Sequence, residues 1–325
     1  MKNILVPAAL FIGFLLVSCS AEDEPKNLPY REGEQLETSK IIGEIQDVNN
    51  SFIASQGNIR SRGFLRGLAI VSADVIGAYE GSKVGGAIGA VVGSAFAGAG
   101  AAPGAGVGAL IGGAVGGIGS SYGMWCTTKG CGGIEAPSIP EVTSAYCSIK
   151  GDIESGRASE EGTAYVGCLN LPYYAVSIED LGVIHNGALD ILRNQGGDVI
   201  MPFGLELDTP VAPAEEAYQL SALEMAVLDS DEFVNYYNES AASIYEDDYN
   251  FVITSDSTVA DQIMKLYLDG MESIGDSGFQ SVVDFTNEYI AIVANSSELL
   301  DIEKENLYAA FSVAVYSYLY WSENY

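Results

Sequence analysis

The chain has 325 residues, enough for one or two domains with an apolar core. Its formal net charge at pH 7 is −30, and residues 151–325 contain 32 acidic but only 4 basic side chains. A negative field of this size repels nucleic acid and anionic surfaces, so we expect no nucleic-acid partner.

The first 18 residues are typical of a bacterial secretion signal. Lys2 precedes an apolar segment at residues 4–17, which is shorter than a membrane-spanning helix. The segment ends in Leu16-Val17-Ser18-Cys19, which resembles a lipobox. The resemblance implies that Cys19 is acylated and becomes the first residue of the mature protein. The alternative is an ordinary signal peptide followed by a free cysteine.

An acidic cluster, Glu22-Asp23-Glu24, follows directly after the predicted anchor. It resembles the export signal of Bacteroidetes surface lipoproteins, which implies an outer-membrane protein displayed on the cell surface. The alternative is a solvated tether, because acidic polar segments near a terminus are commonly disordered. We predict a tether over residues 19–58, with one short helix near 38–48.

Residues 84–128 carry no charged side chain, and small residues recur there at every fourth position. Residues four apart share one face of a helix, so each row forms a groove in which a second helix can approach to backbone contact. This spacing predicts a glycine zipper with two rows. The first row is Gly77, Gly81, Gly85, Gly89 and Gly93, and the second is Gly104, Gly108, Gly112 and Gly116.

The two rows are separated by Ala101-Ala102-Pro103-Gly104, where proline suits a turn or a first helical position. We therefore predict a helical hairpin over residues 59–125. Its apolar halves, 84–100 and 107–125, approach the roughly 20 residues that a bilayer core requires. Membrane insertion is the preferred interpretation. The alternatives are a hairpin packed against its own protein or a partner, and a flexible linker, which the interspersed Val, Ile and Leu residues disfavour.

Four cysteines follow the zipper, in a region predicted as a loop over residues 126–170. An exported chain with an even cysteine set favours disulfides, and three pairings are open. A zinc site built from four thiolates is the alternative, although no histidine lies nearby. We predict at least one disulfide, no metal ion and no cofactor. The cysteines are Cys126, Cys131, Cys147 and Cys168.

Residues 171–325 show helical periodicity and predict a compact, acidic all-helical domain, which makes the whole chain all-α. We expect helices from about 178 to 195 and at 214–228, 231–246, 258–272, 278–294 and 298–322, with a short extended piece at 251–254. The single histidine, His185, is expected to be a hydrogen-bonded structural residue. No catalytic motif is readable, so we do not expect an enzyme.

The segments Ala73–Ala78 and Gly112–Gly117, with the glycines between them, resemble the glycine-zipper region of class II bacteriocins. They are also similar to the two-helix glycine-zipper domain of small Gram-negative outer-membrane lipoproteins. The bacteriocin resemblance implies a membrane-active, contact-dependent antibacterial protein, although bacteriocins of this class are short and cationic. The lipoprotein resemblance implies a structural hairpin, constitutively embedded or packed, beside a helical domain that binds an envelope partner.

The zipper also predicts partners. Membrane lipid is expected at the acyl anchor and at the hairpin, and a homo-oligomer is expected through the glycine rows. A protein partner in the envelope or on a target cell is a further expectation for the acidic domain.

Overall fold

The computed structural model describes residues 39–55, 62–97, 100–129, 136–155, 167–195, 217–246, 258–274 and 277–322. All regular elements in these ranges are helical, which confirms the all-α class. A short 3₁₀ helix (Tyr173–Ile178) precedes α5. The α-helices are α1 (Lys40–Ser55), α2 (Arg62–Ala97), α3 (Ala101–Lys129), α4 (Ile139–Glu154), α5 (Asp180–Gln195), α6 (Ala222–Leu228), α7 (Asp231–Glu246), α8 (Val259–Ile274), α9 (Phe279–Asn295) and α10 (Asp301–Ser322).

Several predictions fall on residues outside these ranges. They are the signal peptide at 1–18, the acylation site Cys19, the tether up to residue 38, Cys131 and the extended piece at 251–254.

Residues 39–325 form one compact unit. We predicted the hairpin (59–125), a cysteine-containing loop region (126–170) and a helical domain (171–325) as separate domains. A single apolar core runs through all three regions, and α10 packs along the length of α2. The hairpin is therefore part of the same core as the C-terminal helices, because each buries the apolar surface of the other.

The central helix of this unit is α10, in which all residues from 306 to 321 are buried. This stretch contains no charged residue, and a helix that is apolar on all sides lies inside a protein. Its direction is opposite to that of α2, since Trp321 lies beside Gly67 and Ile302 lies beside Gly86. The acidic side chains of the predicted C-terminal domain therefore lie outside this part of α10.

The helix α1 belongs to the core, so residues 40–55 are not part of the tether that was predicted over residues 19–58. Ile45 is fully buried, and the Asn49 side chain donates to the Leu266 carbonyl oxygen at 2.8 Å. The Tyr289 hydroxyl donates to Asn49 Oδ1 at 2.6 Å. These bonds fix α1 against α8 and α9, beside a cluster of aromatic rings from three helices. The rings are Tyr267, Phe285, Tyr289 and Phe311.

Candidate functional site

The glycine rows of α2 and α3 face each other in an antiparallel hairpin. A Cβ atom built on any of these glycines would lie 2.1–2.6 Å from a carbonyl oxygen of the opposite helix. Such a separation is too short for a carbon atom, so only glycine permits this approach of the two backbones. The facing pairs are Gly77 with Gly116, Gly81 with Gly112, Gly85 with Gly108, Gly89 with Gly104, and Gly93 with Gly100.

The contact between the rows bears on the expected homo-oligomer. Each row is already occupied by the other row of the same chain, so neither is open to a second copy in this structure. An oligomer through the glycine faces would require α2 and α3 to separate first.

Aromatic side chains of α7 cover the hairpin near its base, the end at which Gly77 faces Gly116. The Tyr236 hydroxyl donates to the Gly77 carbonyl oxygen at 2.9 Å. Tyr237 fills the space over Gly119, where an added Cβ would lie 2.5 Å from its ring, and its hydroxyl donates to the Pro137 carbonyl oxygen. The absence of side chains on α3 thus creates grooves that tyrosine rings occupy.

The opposite end of the hairpin, its tip, is the least covered part of the two helices. Val91 on α2 is 71% exposed, although it is a large apolar side chain. The neighbouring exposed residues are small or uncharged: Ala87, Ser94, Ala95, Ala101, Ala102 and Pro103. The tip therefore presents an uncharged surface beyond the contacts with α10.

A buried polar cluster joins the base of the hairpin to the surrounding helices. Asp74 on α2 is fully buried, and its Oδ2 atom accepts hydrogen bonds from the Ser317 hydroxyl and from Trp321 Nε1, the latter at 3.2 Å. Ser121 of α3 lies beside the same carboxyl. His185 of α5 places Nε2 at 3.8 Å from Asp74 Oδ2. Four helices thus meet at one carboxyl group.

Burial dominates the electrostatics of this cluster. It raises the pKa of Asp74 to about 7, and the nearby Ser317, Ser121 and Trp321 side chains offset only part of the increase. Burial also lowers the pKa of His185 to about 4, against smaller opposing effects of Asn186 and the Gly117 backbone. In both groups the charged form is the one that loses hydration, so both favour the neutral state.

The cluster brings an acid, a histidine and a serine together, which sequence reasoning missed. The Ser317 hydroxyl donates to Asp74 and not to the imidazole, and all three side chains have no exposed surface. Nucleophilic catalysis needs a hydroxyl bonded to the base and open to substrate, so this geometry does not form a catalytic triad. The sequence does contain an indication of this cluster, because Asp74 is the one charged residue between positions 67 and 79.

A second polar group fastens the middle of α2 to α8. Lys83 Nζ lies 2.8 Å from Asp261 Oδ1 and 3.1 Å from Glu80 Oε2. The Tyr79 hydroxyl also donates to Asp261 Oδ1, at 2.9 Å. The basic residue directly before the uncharged stretch is therefore paired with carboxylates of its own chain.

The described cysteines correct the predicted disulfide. No disulfide joins Cys126, Cys147 and Cys168 to one another. Cys126 lies near the end of α3 and Cys147 inside α4, so most of the described part of the predicted loop region is helical. Burial raises the pKa of Cys147 to about 11 and that of Cys168 to about 12, which disfavours the reactive thiolate. Nearness along the sequence did not place these thiols together.

Within the described ranges, one helix, Ala101–Thr128, is long and apolar enough to cross a bilayer, and 67% of its most apolar window is buried inside the protein. A core helix of a soluble protein meets the same test of length and composition. The first arm of the hairpin, α2, does not meet the test. No group of metal-ligating side chains occurs in the described part of the chain.

Comparisons of this chain with protein-family models, with curated proteins and with solved structures give no match.

Proposed function

We propose that this chain is an exported, lipid-anchored envelope protein that stores an apolar glycine-zipper hairpin within its own fold and uses it at a membrane. The observation that carries the proposal is the hairpin itself. Its uncharged stretch is covered by α5, α6, α7 and α10 over most of its length, and the strongly exposed apolar side chain of Val91 lies near the tip. A covered apolar hairpin stays compatible with water until it meets lipid.

The glycine rows suggest how the stored hairpin would act. In water they hold α2 and α3 together, and in a membrane the same faces would pair with those of other copies after the hairpin opens. Such reassociation would produce an oligomer that perturbs the bilayer, in line with the resemblance to bacteriocin zippers. Display on the cell surface would make this activity contact-dependent.

The competing function is a permanently packed hairpin in a protein that binds an envelope partner. The polar contacts of Asp74 and the tyrosines of α7 favour this alternative, because they are specific to the packed state. The two functions differ in whether α2 and α3 ever separate.

A disulfide between the two helices tests this separation. An added Cβ on Gly86 would lie 3.5 Å from the Cβ of Ala109, at the short end of the usual range of about 3.5–4.5 Å for a disulfide. The Gly86→Cys/Ala109→Cys variant should release dye from liposomes when reduced and lose that activity when oxidised. Reductant should change nothing in the wild type or in Gly86→Cys alone.

Two other outcomes of this experiment would contradict an opening hairpin or support the alternative function. Equal leakage from the oxidised and reduced variant would contradict an opening hairpin. No leakage from the wild type would support the permanently packed alternative.

The lipid anchor is tested separately. We expect an alkyne fatty acid, fed to cells that express the full chain, to label the wild-type protein. The label should be lost in Cys19→Ala, because the thiol of the lipobox-like segment is the acylation site. Equal labelling of both proteins would show that Cys19 carries no lipid.

A further inference from the structure

The hydrogen atoms of the buried cluster around Asp74 can be assigned from its neighbours. Asn186 Nδ2 donates to the Tyr316 carbonyl oxygen at 2.9 Å, which fixes the orientation of the amide. Its Oδ1 atom therefore faces His185 Nδ1 at 3.1 Å. Because an amide oxygen only accepts, His185 Nδ1 carries a hydrogen atom.

The other ring nitrogen also faces acceptors. His185 Nε2 lies 3.8 Å from Asp74 Oδ2, and the Gly117 carbonyl lies beside the ring. An ionised carboxylate opposite an unprotonated Nε2 would place a negative charge against a lone pair in a site without water access. Neither Asp74 Oδ1 nor His185 Nε2 has another hydrogen-bond partner among the described residues. A buried charge in that position is strongly unfavourable.

We propose that Asp74 and His185 share one buried proton, which makes the pair a neutral latch that fastens the base of the hairpin to α5 and α10. The proton lies either on the carboxyl or on Nε2, and both arrangements have no net charge. Its loss leaves a buried negative charge between α2, α3, α5 and α10. The latch is thus expected to hold while the proton is present and to loosen when it leaves.

Among the described residues, no other charged side chain acts on Asp74 or His185 in place of this proton. On α5, Arg193 packs on the Trp321 ring with its Cζ at 5.3 Å from the ring centre and donates to Tyr320. On the remaining neighbours, α3 contributes Ser121, α10 contributes Ser317 and Trp321, and α7 contributes the neutral Tyr236 hydroxyl at Gly77. Glu224 of α6 bonds Tyr218 and pairs with Lys150.

The pKa values of the two groups agree with this assignment. Burial raises the pKa of Asp74 to about 7, so the folded protein holds a proton that the unfolded chain releases near pH 4. Taken alone, Asp74 makes the fold less stable as the pH rises towards 7. Burial lowers the pKa of His185 to about 4, so His185 alone makes the fold less stable as the pH falls below about 6.5.

The two effects have opposite signs and cancel between about pH 4 and 6.5, where the folded and the unfolded pair each hold one proton beyond the Nδ1 hydrogen. Between about pH 6.5 and 7 the contribution of Asp74 remains alone, and above 7 neither the folded nor the unfolded pair holds the proton. A rise in pH through 7 therefore weakens the latch. Release of the hairpin to a membrane by this route rests on the proposed function, whereas the shared proton does not.

The shared proton is measured directly on the wild-type protein, without any membrane. Carbon NMR of chains labelled at the aspartate carboxyl, with Asp74→Asn used for assignment, and nitrogen NMR of the single histidine should show the Asp74 carboxyl or His185 Nε2 protonated at about pH 5.5. We expect the carboxyl to be the protonated group and to titrate near pH 7. An ionised Asp74 opposite an unprotonated Nε2 at pH 5.5 would overturn the proposal.

A variant adds an independent test. Asp74→Asn keeps an acceptor for Ser317 and Trp321, supplies an amide donor to Nε2 and cannot ionise. Its folding equilibrium constant relative to wild type should rise by up to about tenfold per pH unit between about pH 4 and 7 and level off above 7. The exposed control Asp284→Asn should show a constant ratio over the same range. A constant ratio for Asp74→Asn would contradict the latch, and if that variant fails to fold, the NMR titration of the wild type decides.

Discussion

Gly85→Ala is expected to destabilise the protein by about 3 kcal/mol or more, although it adds a single methyl group. The new Cβ would lie 2.1 Å from the Gly108 carbonyl oxygen and 3.0 Å from the Gly112 Cα atom. Both contacts are with backbone, so no side-chain rotation relieves them and the helices must move apart. The helix propensity gained from alanine, about 1 kcal/mol, is smaller than this cost.

Gly43→Ala is the matched control for this substitution. Gly43 is also helical, in α1, and a Cβ there meets nothing within 4 Å. We expect Gly43→Ala to stabilise the fold by up to about 1 kcal/mol. Denaturant titration under identical conditions measures both changes. A Gly85→Ala variant as stable as Gly43→Ala would show that the glycine rows are not in backbone contact.

The structure also predicts how the Gly85→Ala variant unfolds. From sequence alone, disruption of the zipper is expected to leave the C-terminal helices folded. Because α10 packs on both α2 and α3 within one core, loss of the hairpin removes the surface that buries α10. We therefore expect a single cooperative transition in which the hairpin and the C-terminal helices unfold together.

Ile45→Ala has the second largest expected effect, a loss of about 2–5 kcal/mol of stability. Ile45 lies on α1 with no exposed surface, packed in the core with residues of α8 and α9. Truncation leaves a cavity there, and the loss of packing adds to the lost burial of the removed carbons. A tether helix in solvent would show no such effect.

Ile53→Ala gives the comparison on the same helix. Ile53 is 50% exposed, so its truncation should change stability by less than about 1 kcal/mol. Thermal unfolding of both variants beside the wild type distinguishes the two sites. Equal small effects of the two substitutions would support the sequence prediction that residues 40–55 belong to a solvated tether.

Local sequence determined the helices and the pairing of the glycine rows. The spacing of apolar residues predicts a helix at 231–246, and α7 has those bounds. The four-residue repeat of glycine identified the faces at which α2 and α3 meet. Both signals lie within a few turns of a helix, and helical periodicity is a property of neighbouring residues.

The polar cluster and the role of α1 could not be read in the same way. Asp74 and Ser317 are 243 residues apart in sequence, and Asn49 and Leu266 are 217 apart. Contacts over such distances depend on which helix faces meet, and no local pattern specifies that choice. The cysteines show the same limit, because four thiols close in sequence were expected to pair, and the described ones lie in α3, in α4 and in the segment before the 3₁₀ helix.

The sequence by itself therefore determined the helical class, the glycine contact surfaces and the acidic composition of this protein. Only the tertiary structure decided that the hairpin shares one core with the C-terminal helices and that its base is fastened through a buried carboxyl. The physical reason is that the cost of burying Asp74 depends on the groups from three other helices that surround it, and those groups meet only when the whole chain has folded.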